Sequence, residues 1–254
     1  MITVQRAADR FETRTDWLDS RHSFSFGRHY DVSNTHFGLL LVNNDDVVLP
    51  GTGFETHPHR DMEIVTWVLR GQLVHQDSAG HNGVIYPGLA QRMSAGRGIM
   101  HSEKNDSWRL TGGPEHEEPV RFVQMWVLPD EAGIDPGYEQ LEIADELLSG
   151  GLVPVASGRP GRRDEAAVRI RQKDATLHAA RLAPGASAAL PTAPFAHLYV
   201  PSGSVALEGL DAAGGANTLR EGDAARIEGA EGQRVTAGAS GAEILVWEMH
   251  AGPR

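Results

Sequence analysis

Ile64-Val-Thr-Trp-Val-Leu69 runs into Arg70-Gly71, and Gln72-Leu-Val-His-Gln76 runs out of it. β-Branched and aromatic residues on either side of a glycine turn read as the two strands of a hairpin. Working outward, Val84-Ile-Tyr86 precedes a turn at Pro87-Gly88, residues 122–128 form another strand, and strands resume over 168–170 and continue to 243–250. Short strands punctuated by Gly and Pro predict an all-β fold, a barrel or a sandwich. One short helix is expected over 143–148, stopped by Ser149-Gly150-Gly151. Residues 155–169, rich in Gly, Pro and Arg, read as a linker.

The hairpin glycine also reveals a weak internal repeat. Placing Gly71 on Gly203 brings Gly88 onto Gly222, with spacings of 17 and 19 residues and a longer hairpin tip at 211–217 in the second copy. Two β domains follow: 1–135, a connecting segment 136–165 with the short helix, and 166–254.

The chain has 254 residues, a net charge of −11 and no cysteine, which excludes disulfides, thiolate metal sites and Cys nucleophiles. Acidity is even along the chain, so direct nucleic-acid contact is not expected. No apolar run approaches the ~18 residues of a membrane span, and MITVQRAADRF has no signal core, so a cytoplasmic protein is expected. Histidine is uneven: most of the 12 lie before residue 130.

Gly51-Thr-Gly-Phe-Glu-Thr-His57-Pro-His59-Arg-Asp-Met-Glu63 explains why. Residues i and i+2 of a strand share a face, so His57 and His59 present two imidazoles together. Glu63 shares their parity if the strand is unbroken. In Ala95-Gly-Arg-Gly-Ile-Met-His101-Ser-Glu103, His101 and Glu103 again share a face. A hairpin and a return strand bring the two segments together. Three imidazoles and a carboxylate suit one divalent first-row metal, Fe(II) foremost, with Ni, Mn, Cu or Zn also accepted. On spacing, either Glu103 or Glu63 serves as the fourth ligand.

These segments resemble the two motifs of the cupins, and the fuller match is to the pirin family of bicupins. It rests on Trp17-Leu-Asp-Ser-Arg-His-Ser-Phe-Ser-Phe26, on Thr56-His-Pro-His-Arg-Asp-Met-Glu-Ile64, on His75-Gln-Asp-Ser-Ala-Gly80, on Met93-Ser-Ala-Gly-Arg-Gly-Ile-Met-His-Ser-Glu103 and on Gly137-Tyr-Glu-Gln140. The likeness is dense to about residue 160. It implies a jelly-roll sandwich in each half and the ligand set His57, His59, His101 and Glu103, with Glu63 supporting. Likeness to the bacterial pirin-like quercetin 2,3-dioxygenases implies opening of a flavonol heterocycle by O₂ with release of carbon monoxide. Glu103 is then ligand and candidate base, with Glu63 in reserve. The substrate class is a small aromatic or enolic compound. The alternative is a non-enzymatic, redox-sensitive regulator that binds a protein partner through its metal state.

The second copy lacks the ligands: the repeat puts Ala189, Pro191, Val235 and Ala237 at those positions. His178, His197 and His250 read as surface or locally satisfied residues. His75 and His81 are left outside the site. Met62, Met93 and Met100 read as core fillers. His22, Phe24 and Phe26 share a strand face that either lines the pocket mouth or packs in the core.

Overall fold

A computed structural model describes residues 1–210 and 217–252. The proposed tip at 211–217 therefore lies outside the described residues except for Asn217. Among the described residues the strands form three sheets of seven, four and nine strands. The seven-stranded sheet runs, in order, Gly137–Glu142, Leu89–Ser94, Glu63–Arg70, Val120–Val127, Leu40–Val48, Leu18–His22 and Phe11–Arg14. The four-stranded sheet runs Gly53–His59, Ile99–Lys104, Leu73–Asp77 and Asn82–Ile85. These two pack face to face through Val48, Val68, Phe122, Leu73 and Ile85, forming the first sandwich.

The opposite face of the seven-stranded sheet is covered too. Val65, Trp67, Val123 and Met125 join Leu177, Tyr199, Leu245 and Trp247 of the nine-stranded sheet in one buried cluster. Burial on both faces explains why residues 64–69 read as a continuous apolar run rather than an alternation. Trp67, fully buried, also donates its indole N–H to Glu243 at 2.7 Å across this contact.

Gly71 and Gly203 share a left-handed φ of 77°, and Gly88 and Gly222 match at 96° and 82°. At Gly203 a Cβ would lie 2.2 Å from the Gly241 carbonyl oxygen, so no other residue fits without displacement. The counterpart of the ligand-bearing strand pair is Ser187–Ala189 against Arg234–Met249. There Val235 faces Ala188, one residue from the position the repeat assigns. Val235, Ala237, Ala188 and Leu190 fill that centre with apolar groups.

The linear reading needs four corrections. Ile2–Gln5 pairs with the Ala224–Glu231 strand, so the first residues complete the second half's sheet. Val153–Ser157 is a strand of that same sheet, not linker; its pairing with Ala175–Leu182 outweighs its Gly and Pro surroundings. The expected helix is a single 3-10 turn at Glu146–Ser149, because Gly150 ends it in the left-handed region and the remaining chain is too short to nucleate a helix. The one α-helical turn among the described residues is Trp108–Thr111.

His178 and His250 both bond Glu248 through Nε2 at 2.9 Å with Arg159 beside them, although His178 Nδ1 is buried without a partner. His197 is neither surface nor satisfied. It is fully buried near Phe24, and neither ring nitrogen has a partner. Burial, then the charges of Arg226 and Arg10, lower its pKa to about 3. The unfolded chain takes up this proton below pH 6.5 and the fold does not until about pH 3. The His197 contribution is therefore full above pH 6.5 and declines as the pH falls from there, by at most about 1.4 kcal/mol per pH unit. In urea titrations from pH 7 to 4, His197→Leu is expected to lose less stability than the wild type.

Candidate metal centre

Gly53–His59 and Ile99–Lys104 are antiparallel neighbours with His101 opposite His57. The close approach depends on Gly53, where a Cβ would meet the Glu103 carbonyl oxygen at 2.3 Å. The register shifts between His101 and Glu103, whose partners are His57 and Phe54. Such a bulge re-aims side chains, and here Phe54 and His57 both reach one cavity wall.

The imidazoles of His57, His59 and His101 converge, with ring centroids 4.5–4.8 Å apart and donor atoms within 4.8 Å of one another. His57 donates Nδ1–H to the Glu55 carbonyl at 2.7 Å, which leaves its Nε2 lone pair free. His59 Nε2 and His101 Nε2 are buried without any partner. Burial, then the neighbouring imidazoles, lower His59 to about 4 and His101 to about 3. Both rings are thus neutral at pH 7, the form that binds a metal. Orphaned buried nitrogens are costly unless something binds them, so this donor set fits a cation.

Glu103 enters a second group, with His75 and His101. Its two oxygens accept from Gln124 Nε2 at 2.9 and 2.7 Å, and Trp126 Nε1 fixes that amide by donating to Gln124 Oε1 at 3.0 Å. Thr66 Oγ1 adds a longer contact at 3.4 Å.

Glu63 goes elsewhere. The chain turns at Arg60–Met62, with Asp61 at φ 48°, so the strand parity that would align Glu63 with His57 is broken. Glu63 points with Val65 and Trp67 toward the second half, accepting from Ser94 Oγ at 2.8 Å and Arg171 N–H at 3.0 Å. Thr66, one face over, points at Glu103. Burial raises the Glu63 pKa.

His75, left outside the site from sequence, is fully buried with its Nδ1 3.4 Å from His101 Nδ1. Its Nε2 lies 3.3 Å from Asp77. Burial pushes the Asp77 carboxyl up, but hydrogen bonds from His81 and His75 outweigh this and hold it ionised. An ionised Asp77 keeps the proton on His75 Nε2. His75 Nδ1 then accepts from His101 Nδ1–H, and His101 Nε2 keeps its lone pair toward His57 and His59. The signal was His75-x-Asp77, whose cross-strand partners are Glu103 and His101.

The cluster opens on a cavity of about 950 Å³, walled by Trp17, Phe26, Phe54 and Trp126. Of the His22–Phe26 face, His22 and Phe26 stack at 5.1 Å on the wall, whereas Phe24 packs in the core between the halves. Met93 is core, but Met100 is 40% exposed because it points away from the site strand's buried side. Arg60 and Arg97 pair on the surface with Asp61 and Asp135.

Comparison with known proteins agrees with this architecture. The Pirin family model matches residues 3–127, and the model described as "Quercetinase C-terminal cupin domain" matches 155–249. A Mycobacterium tuberculosis protein named "Putative quercetin 2,3-dioxygenase" is 59% identical over 250 residues, 98% of this chain and 96% of its own. The chain belongs to the pirin family. An Escherichia coli relative named "Quercetin 2,3-dioxygenase" is 46% identical over 140 residues, 55% of this chain and 57% of its own. The bacterial pirin YhhW of E. coli superposes with a TM-score of 0.84 at 34% identity, covering both chains fully. A second YhhW structure, titled as a complex with nickel(II), gives 0.83 at 34% identity over 99% of this chain and 100% of its own. The pirin bicupin fold is thus shared across both halves, and no helix among the described residues is long and apolar enough to cross a membrane.

Proposed function

We propose that this pirin is a metal-dependent dioxygenase that opens the heterocycle of a flavonol such as quercetin with O₂ and releases carbon monoxide. The observation that carries this is the trio of convergent imidazoles, two with orphaned buried nitrogens, at the wall of an aromatic cavity large enough for a flat polycyclic ligand. The names of the relatives and the nickel(II) complex of YhhW support it.

His57, His59 and His101 hold the metal, with Glu103 as fourth ligand. A bound divalent ion, Fe(II) or Ni among the candidates, supplies Lewis acidity to the substrate's hydroxyl and an electron path to O₂. Gln124 and Trp126 orient Glu103. Phe26 and Trp126, edge to face at 5.6 Å, and Phe54 offer ring faces for the substrate and keep water from it. The division into a metal-bearing first cupin and a second cupin without ligands is supported by the two family matches, over 3–127 and 155–249, the second beginning near the Val153–Ser157 strand rather than at 166.

Oxygen uptake with quercetin, by protein loaded singly with Fe(II), Ni, Mn, Cu and Zn, tests the reading. Turnover with at least one metal and carbon monoxide among the products is expected. A protein that binds its metal and consumes no oxygen overturns it in favour of a regulatory role. Elemental analysis is expected to give one metal per chain. Two tightly held ions would refute the apolar reading of the second centre around Val235 and Ala237.

A further inference from the structure

Asp46 sits on the Leu40–Val48 strand, 3% exposed, and lines the same cavity as Glu103 and His57. Its Oδ1 accepts from Ser20 Oγ, its cross-strand partner. Ser20 Oγ lies 3.4 Å from His22 Nδ1, the longest link of a chain that continues outward. His22 Nε2 is 2.9 Å from Thr13 Oγ1, and Thr13 Oγ1 is 3.1 Å from His29 Nε2. His29 is partly exposed and leans on Phe11 with ring centroids 5.3 Å apart. Three adjacent strands set this up: Thr13 faces Ser20 and Ser20 faces Asp46 in register, with His22 two residues on along the same face.

Each member between the ends can both donate and accept. Once the Ser20 hydroxyl turns from Asp46 toward His22, the chain can carry a proton from the cavity to the surface. Glu103 is poorly placed for this task, since Gln124 occupies both its oxygens and it is the proposed ligand.

We propose that Asp46 takes the proton from the substrate's hydroxyl, and that Ser20, His22 and Thr13 pass it to His29 at the surface. This rests on the flavonol-opening reading above. The substrate O–H bond breaks with its electron pair left on oxygen, and the proton bonds to the Asp46 carboxylate. In each further hop one O–H or N–H bond breaks as the next forms, and His29 releases the extra proton to water. Ser20, His22 and Thr13 act through Asp46 and are positioning residues.

The electrostatics agree. Burial, opposed by the Ser20 hydrogen bond and Arg10 and aided by the Asp45 and Glu103 charges, raises Asp46 to about 7, suited to a base working near neutrality. Burial outweighs the hydrogen bond His22 donates to Asn44 and, with the His29 and Arg10 charges, holds His22 below its ordinary value, so it stays a neutral relay.

The test mixes quercetin anaerobically with Zn-loaded protein and follows the absorption band of the ionised flavonol, alongside metal content and oxygen uptake with the best metal. Asp46→Asn is expected to keep its metal, to bind quercetin largely un-ionised, and to lose oxygen uptake by ~10²–10⁴-fold. His22→Ala is expected to slow ionisation by less, with added imidazole restoring it, which a packing defect would not allow. Should Asp46→Asn fail to fold, Ser20→Ala removes only the first link and must slow ionisation. A wild type that ionises quercetin no faster than folded Asp46→Asn or Ser20→Ala overturns this proposal alone. A wild type that neither binds quercetin nor consumes oxygen with any metal overturns the dioxygenase reading, and this proposal with it.

Discussion

Replacing His101 with alanine is expected to reduce metal affinity by more than the ~10–100-fold that loss of a supporting partner costs, and to abolish oxygen uptake. His101 is 1% exposed and belongs to both groups of convergent donors, the one with His57 and His59 and the one with His75 and Glu103. Among the described residues no other side chain belongs to both groups. His75→Phe keeps all four proposed ligands but removes the acceptor that fixes the His101 tautomer, so its loss is expected to stay within about 10–100-fold. Metal remaining after dialysis against a graded chelator series ranks the two, with circular dichroism to confirm folding. Equal losses, or His101→Ala retaining its ion, would remove His101 from the ligand set.

Residues 64–76 disclosed the hairpin because a strand covered on both faces keeps a continuous apolar signal, as Val68 and Trp67 on its two faces illustrate. The His57–His59 pair was legible because i,i+2 proximity is local. What stayed hidden was cross-strand. The pairing of Ile2–Gln5 with a strand more than 200 residues away leaves no local mark on four residues. The Thr13–Ser20–Asp46 ladder and the contact of His75 with His101 depend on register, which no single stretch encodes. Glu63 was ambiguous for the same reason: its parity depended on whether the strand continued through Asp61, and a positive φ there ends it.

The two carboxylates should therefore separate in opposite directions. Glu103→Ala is expected to weaken metal retention and turnover together, since it takes a negative oxygen from within reach of His101. It also frees the Gln124 amide. Glu63→Ala is expected to leave metal content nearly intact and to cost stability instead. Ser94 and the Arg171 N–H both lose their buried acceptor, at about 1–3 kcal/mol for an unpaired buried group. Because Arg171 belongs to the second half, the contact that loosens is the one between the halves, not the site. Urea unfolding and chelator dialysis on both variants measure the two effects separately. Metal lost from Glu63→Ala but kept by Glu103→Ala would mean that the carboxylate ligand follows the first motif, and the parity argument from Asp61 would fail with it.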